Sequence, residues 1–204
     1  MCVLVLVERG VMSEQLSWLQ AIILGISQGL TEFLPISSTA HTLVVSKLLG
    51  WPDPGAAFTA VTQIGTEMAV VIYFRHDIAR ILKTWTSSIF KPELRNNPDA
   101  KMGWYVIIGT IPIGVAGLAF KSSIETTARN LWLVAFALIF MGILLGVADR
   151  FAKHTKSESD LNTGNAVLFG LGQALALIPG VSRSGATITA GLFMGYKRDV
   201  VARY

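Results

Sequence analysis

Two stretches of this sequence are long, apolar and free of charged residues: Trp104 to Phe120 and Leu131 to Ala148. A hydrocarbon core about 30 Å thick takes ~20 helical residues to cross, and a helix satisfies its own backbone hydrogen bonds there. A third stretch, Phe58 to Phe74, holds one acid, Glu67, and no base. Charged residues make up only 15% of the chain and hydrophobic ones 52%, against roughly 25% charged in soluble domains. The expected fold class is therefore an all-α, polytopic integral membrane protein.

The net charge of +4 comes from bases that sit between the apolar stretches. The 75–102 segment holds Arg75, Arg80, Lys83, Lys91, Arg95 and Lys101, and the 149–163 segment holds Arg150, Lys153 and Lys156. The 121–130 segment has only Lys121 and Arg129. The positive-inside rule puts 75–102 and 149–163 on the cytoplasmic side as loops and Trp51 to Gly55 on the outer side. This pattern reads as membrane orientation. The basic segments lack interleaved aromatics, so nucleic acid is not expected as a partner. His76 and His154 lie in these basic loops and read as solvated. The single cysteine, Cys2, excludes an intramolecular disulfide or a cysteine-built metal site.

Met12-Ser13-Glu14-Gln15 looks like a more ordinary start than Met1, so residues 1–11 are expected to be an N-terminal extension and 12–204 a single transmembrane domain. Ser17 to Leu34 reads as an apolar helix ending at Pro35, and Ser37 to Leu49 as its restart. Trp51 to Gly55 is a turn, because two prolines and a glycine cannot continue a helix. Pro112 is expected to kink the 104–120 span. Gly164 to Ile178 breaks at Pro179-Gly180 and restarts near Ser182, running to Met194.

Two segments resemble each other. Gly25 to Thr42 aligns without gaps on Gly170 to Thr187, pairing Gln28 with Gln173, Ser37 with Ser182, Thr39 with Ser184 and Thr42 with Thr187. Each has an apolar half-helix, a proline break and a hydroxyl-rich restart. Matching broken helices in two halves of a membrane protein point to a midplane site at a repeat interface. Recurrence of small and hydroxylated residues in any membrane helix is the plainer reading.

Three constellations carry chemistry. Gln28 and Glu32 share a helix face, and a carboxylate among Leu30, Phe33 and Leu34 is costly unless it has a purpose, such as metal binding or proton transfer, or lies at the interface. Ser37, Ser38 and Thr39 open a new helix; Ser37 or Ser38 can cap it, and its free N–H groups form an anion site. His41 falls one turn on, over the hydroxyls, and serine beside histidine is the minimum for an activated nucleophile; a capped helix with an interfacial histidine fits the spacing equally. Arg183, flanked by Ser182 and Ser184 with Thr187 nearby, suits a phosphate, whose geometry matches its planar fork. Snorkelling to the headgroup level would explain the arginine but neither the hydroxyls nor Gly180 and Gly185. Together these groups are equipment for phosphoryl transfer, where positioning and charge neutralisation dominate. There is no P-loop and no H-E-x-x-H zinc motif.

QGLTEFLPISSTAH (residues 28–41) resembles the first signature of the undecaprenyl-diphosphate phosphatases, the BacA/UppP family, and PGVSRSGATI (179–188) resembles the second. The resemblance runs from about Ser17 to the end of the chain. It implies two inverted repeats, each with a broken, re-entrant helical hairpin. It also implies hydrolysis of undecaprenyl diphosphate to undecaprenyl phosphate and inorganic phosphate. That reaction recycles the lipid carrier of bacterial cell-wall synthesis and confers bacitracin resistance. Glu32, Ser38, His41 and Arg183 would be catalytic. Gln28, Ser37, Thr39, Ser182, Ser184 and Thr187 would bind substrate. A divalent cation, Mg²⁺ or Ca²⁺, would be held by Glu32, although Gln28 stands where many members carry a second carboxylate. The attacking group, Ser38 or a water positioned by Glu32, stays open, as does a homodimer. The implied partners are the polyprenyl diphosphate and membrane lipids, and the implied location is the inner membrane with the site facing outward. Members normally continue for further helices past the position of Tyr204, so these are expected to be missing. A secondary transporter or lipid flippase built on inverted repeats is the alternative function.

Overall fold

The computed structural model describes residues 16–120 and 131–204; the expected extension at 1–11, the start at Met12 and the sparse 121–130 segment lie outside the described residues. α1 spans Trp18–Glu32. Ser17 caps it reciprocally: its Oγ accepts from the Gln20 amide at 3.3 Å, and its own amide donates to Gln20 Oε1 at 2.8 Å. The chain turns through residues 33–36, where Pro35 has no amide hydrogen to offer, and α2 follows at Ser38–Leu48. Gly50, at φ +66°, closes α2 in the left-handed conformation that a glycine adopts without strain.

α3 spans Gly55–Tyr73 and α4 Arg75–Phe90, the two meeting at a bend of 75°. The sequence suggested a loop over 75–102. Instead α4 is an amphipathic helix, with Ile78, Leu82, Trp85 and Ile89 recurring at helical spacing along one side and bases on the other. Charge density alone did not reveal that periodicity. Trp85 packs edge-on to Trp104 with ring centroids 5.5 Å apart. Gly103 makes room for it: a Cβ there would lie 2.7 Å from the indole.

α5 spans Pro98–Ala119 and continues through Pro112, and α6 spans Leu131–Phe151. These two are long and apolar enough to cross a membrane individually; α3 with its bent partner α4 would make a third span. α7 (Thr163–Ala174) passes into a 3₁₀ turn at Leu175–Leu177, and α8 (Arg183–Phe193) and α9 (Arg198–Arg203) follow. α7 crosses α5 so closely that a Cβ on Gly170 would fall 2.3 Å from the Gly109 carbonyl oxygen. Phe169, Leu192, Tyr196 and Val201 are buried against Ala148 and Leu161 where α6, α7, α8 and α9 meet. The described residues form an all-α membrane protein without a strand.

α9 ties the two basic segments to one face of the molecule. Arg198 pairs with Asp149 at the end of α6 (2.6 Å), and Arg203 with Asp77 at the start of α4 (3.3 Å). His154 is not simply solvated: its Nε2 lies 3.1 Å from the Asp149 carbonyl, and its buried Nδ1 has no partner.

Candidate functional site

The two broken helices meet at their breaks. Ser184, in the first turn of α8, donates to the carbonyl of Leu34 at 3.1 Å, between α1 and α2. Gly185 lies so close that a Cβ would be 3.3 Å from the Pro35 carbonyl oxygen. On the other side Gly180, at φ +90°, lets the 175–182 connection approach α6, where a Cβ would stand 2.6 Å from the Val134 carbonyl oxygen. The hairpins are thus wedged between each other and α6, which fixes where α2 and α8 begin.

Between these starts lies a polar cleft of about 80 Å³, lined among others by Glu32, Ser38, Thr39, Gln63, Ser182 and Arg183. Both helix N-termini open onto it. α8 is capped as its sequence suggests: Ser182 Oγ accepts from the Gly185 amide at 3.2 Å and lies 2.9 Å from Ser184 Oγ. α2 is not. Ser37 sits at φ +63° and makes no side-chain cap, so the expectation that Ser37 or Ser38 caps this helix fails. The reason is backbone geometry: Ser37 is not in the extended conformation from which an N-cap side chain reaches the next amides, and Ser38 already lies within the helix. Ser38 Oγ donates to Glu32 Oε2 at 2.5 Å. The first amides of α2 thus lack a side-chain cap, in a turn whose residues Ser37, Ser38 and Thr39 line the cleft, and a free helix N-terminus favours an anion.

Glu32 is the hub of the cleft. Gln28 Nε2 donates to its Oε2 at 2.7 Å and approaches Ser38 Oγ at 3.2 Å; Gln63 Nε2 donates to its Oε1 at 3.4 Å. Gln28 is fully buried, and its Oε1 has no hydrogen-bond partner. This orientation turns the amide donor of Gln28 toward both the Glu32 carboxyl and the Ser38 hydroxyl.

The remaining residues are placed as follows. Ser37 and Thr39 line the cleft, Ser37 buried and Thr39 exposed. His41 Nδ1 is 2.9 Å from the Ser37 carbonyl. A carbonyl only accepts, so Nδ1 donates to it. Thr187 stands apart: its hydroxyl donates to the Arg183 carbonyl at 2.8 Å and lines a different cavity with Gly109, Gln173 and Tyr204. Arg183 Nη1 reaches Glu67 Oε1 of α3 at 3.6 Å.

Gln63 and Glu67 were not singled out from the sequence. Their spacing of four residues, one helix face in an apolar run, was the available signal.

Toward a divalent cation the cleft offers one carboxylate, Glu32, with Ser38 Oγ beside it, and the Arg183 guanidinium lines the same cleft. Among the described residues no three His, Cys, Asp or Glu side chains cluster, so a cation would take its further ligands from substrate phosphates and water.

Residues 21–204 match the family described as bacitracin resistance protein BacA. The chain is 59% identical over 189 residues to the undecaprenyl-diphosphatase of Thermobifida fusca (strain YX), covering 93% of this chain and 65% of that protein. It is also 59% identical to the undecaprenyl-diphosphatase of Renibacterium salmoninarum (93% and 68%) and 55% identical to that of Nocardioides sp. strain JS614 (92% and 68%). The chain therefore spans about two thirds of the length of the curated relatives it matches.

Proposed function

This chain belongs to the bacitracin resistance protein BacA family, and on that premise we propose that it hydrolyses undecaprenyl diphosphate to the monophosphate and inorganic phosphate, supporting cell-wall synthesis and bacitracin resistance. The observation that carries the reading is the convergence of the α2 and α8 N-termini, Arg183 and the Glu32–Ser38 pair on one cleft. Two helix N-termini and a guanidinium neutralise a diphosphate; the bonded hydroxyl supplies a nucleophile beside a base.

In this reading Ser38 Oγ attacks the terminal phosphorus, and its proton passes to Glu32 across the 2.5 Å hydrogen bond. Undecaprenyl phosphate leaves, and water then hydrolyses the phosphoserine. That geometry favours Ser38 over a water positioned by Glu32 as the attacking group. His41 handles the proton of the second step. Arg183, Ser182, Thr39 and the α2 amides hold the terminal phosphate, while Gln28 and Gln63 fix the Glu32 carboxylate. Glu32 would also hold Mg²⁺ or Ca²⁺, which supplies charge neutralisation of the diphosphate oxygens. The two hairpins suit an inverted repeat, and the site is assigned to the outer face of the inner membrane, opposite the face that carries the basic segments. Membrane lipids would surround the protein.

The deciding experiment is phosphate release from undecaprenyl diphosphate by the purified full-length protein in detergent. Release that disappears in Ser38→Ala supports the reading. Lipid movement across a vesicle bilayer without release would make the protein a flippase instead.

A further inference from the structure

Glu67 has no role in the reaction just described, yet it forms an ion pair with the proposed anion clamp. It is the only charged residue in α3. One turn earlier on the same helix, Gln63 touches Glu32, so this face of α3 fronts the cleft. Its Oε1 stands 3.6 Å from Arg183 Nη1. That is well beyond the roughly 2.7–2.9 Å of a tight charge-assisted bond. Both side chains are about half open, 49% for Arg183 and 65% for Glu67. A pair built for rigidity would be close and buried; this one is loose and open, and its Arg183 end lines the cleft.

We propose that Glu67 is a resident competitor for Arg183: its carboxylate compensates the guanidinium while the cleft is empty and yields it to a phosphate group that enters. Two consequences follow from electrostatics. An unpaired guanidinium in an apolar region is costly, and Glu67 lowers that cost without occupying both arms of the fork. The same carboxylate repels and replaces inorganic phosphate after hydrolysis, which keeps the product from holding the site. Glu67 is a positioning and release residue that acts through Arg183 and touches no reacting atom. The inference rests on Arg183 being the phosphate clamp.

Calorimetric binding of inorganic phosphate to the full-length protein in detergent tests it without depending on turnover. Glu67→Gln should bind phosphate about twofold to fivefold more tightly than wild type, the scale of losing one partly exposed ion pair. Glu67→Asp, which keeps the charge, should stay near wild type. Glu67→Leu should repeat the sign of Glu67→Gln and guards against one variant that fails to fold. In steady state KM for the diphosphate and the inhibition constant of phosphate should fall together in Glu67→Gln, whereas a merely structural residue would move only the active fraction. Unchanged or weaker phosphate binding in both Glu67→Gln and Glu67→Leu overturns the inference. If Arg183→Ala abolishes phosphate binding in that same series, the clamp stands and only the role of Glu67 falls. If Arg183→Ala binds phosphate like wild type, both fall.

Discussion

Ser38 donates a 2.5 Å hydrogen bond to Glu32 across the break between α1 and α2, six positions apart in the chain. A continuous helix would put these residues on different faces. The Pro35 turn folds α2 back so that its first hydroxyl meets the carboxylate ending α1. The break is thus what makes a nucleophile and a base neighbours.

Removing either partner should therefore suppress chemistry while leaving binding largely intact. Ser38→Ala and Glu32→Gln should each lower kcat by about 10²–10⁴-fold, the range of a positioned acid–base group, with KM changed far less. Rapid quenching with radiolabelled terminal phosphate should trap phosphoserine in wild type and none in Ser38→Ala. Labelled protein in Ser38→Ala would show that the nucleophile is elsewhere.

Gln63 should matter more weakly. Its amide reaches Glu32 Oε1 at 3.4 Å, a long bond. Gln63→Leu should cost about 0.5–1.5 kcal/mol in kcat/KM. A loss as large as that of Glu32→Gln would mean Gln63 contacts the reacting groups directly.

Gly180 should be intolerant of any side chain. Its φ is +90°, and a Cβ would stand 2.6 Å from the Val134 carbonyl oxygen, which is backbone and cannot swing away. Gly180→Ala should lower stability by roughly 1–3 kcal/mol, read as an earlier thermal unfolding in detergent. Activity should fall with it, because this connection sets where Arg183 points. Full stability and activity in Gly180→Ala would rule out this packing.

Much of the architecture was legible because hydrocarbon imposes simple rules. Uncharged stretches gave α5 and α6, and the prolines at 35 and 179 gave both broken helices. The capped start of α8 at Ser182 was also readable, since it needs only local geometry. The start of α2 was misread because Ser37 takes φ +63° after the Pro35 turn, outside the extended conformation that a side-chain cap needs. The helix over 75–90 was missed because bases dominate its composition and hide the spacing of Ile78, Leu82 and Trp85. Gln63 reaches the cleft, and Glu67 reaches Arg183, only through the packing of α3, which no short motif encodes.

Chelation should stop the reaction. With one carboxylate, Glu32, in the cleft, the cation would depend on substrate phosphates for its other ligands, so affinity without substrate should be weak. EDTA should abolish phosphate release, and excess Mg²⁺ or Ca²⁺ should restore it. Activity unaffected by chelators would remove the metal from the mechanism.

Arg183 should be the most sensitive position for substrate recognition. It begins α8, beside a capped N-terminus whose amides already favour an anion, and lines the cleft that holds Glu32 and Ser38. Its guanidinium can present two parallel hydrogen bonds to phosphate oxygens, and a preorganised donor of this kind is worth about 3 kcal/mol. Arg183→Ala should lower kcat/KM by roughly a hundredfold or more. Arg183→Lys should also be badly impaired, because it keeps the charge and loses the fork. Ser184→Ala removes a neutral hydroxyl whose bond goes to the Leu34 carbonyl at 3.1 Å, and should cost only about 0.5–1.5 kcal/mol. A snorkelling arginine would reverse this order, since its loss would spare the site while loss of the Ser184 stitch would loosen the two hairpins. Phosphate release by a normally folded Arg183→Ala at near wild-type rate would therefore remove both the clamp and the location of the site.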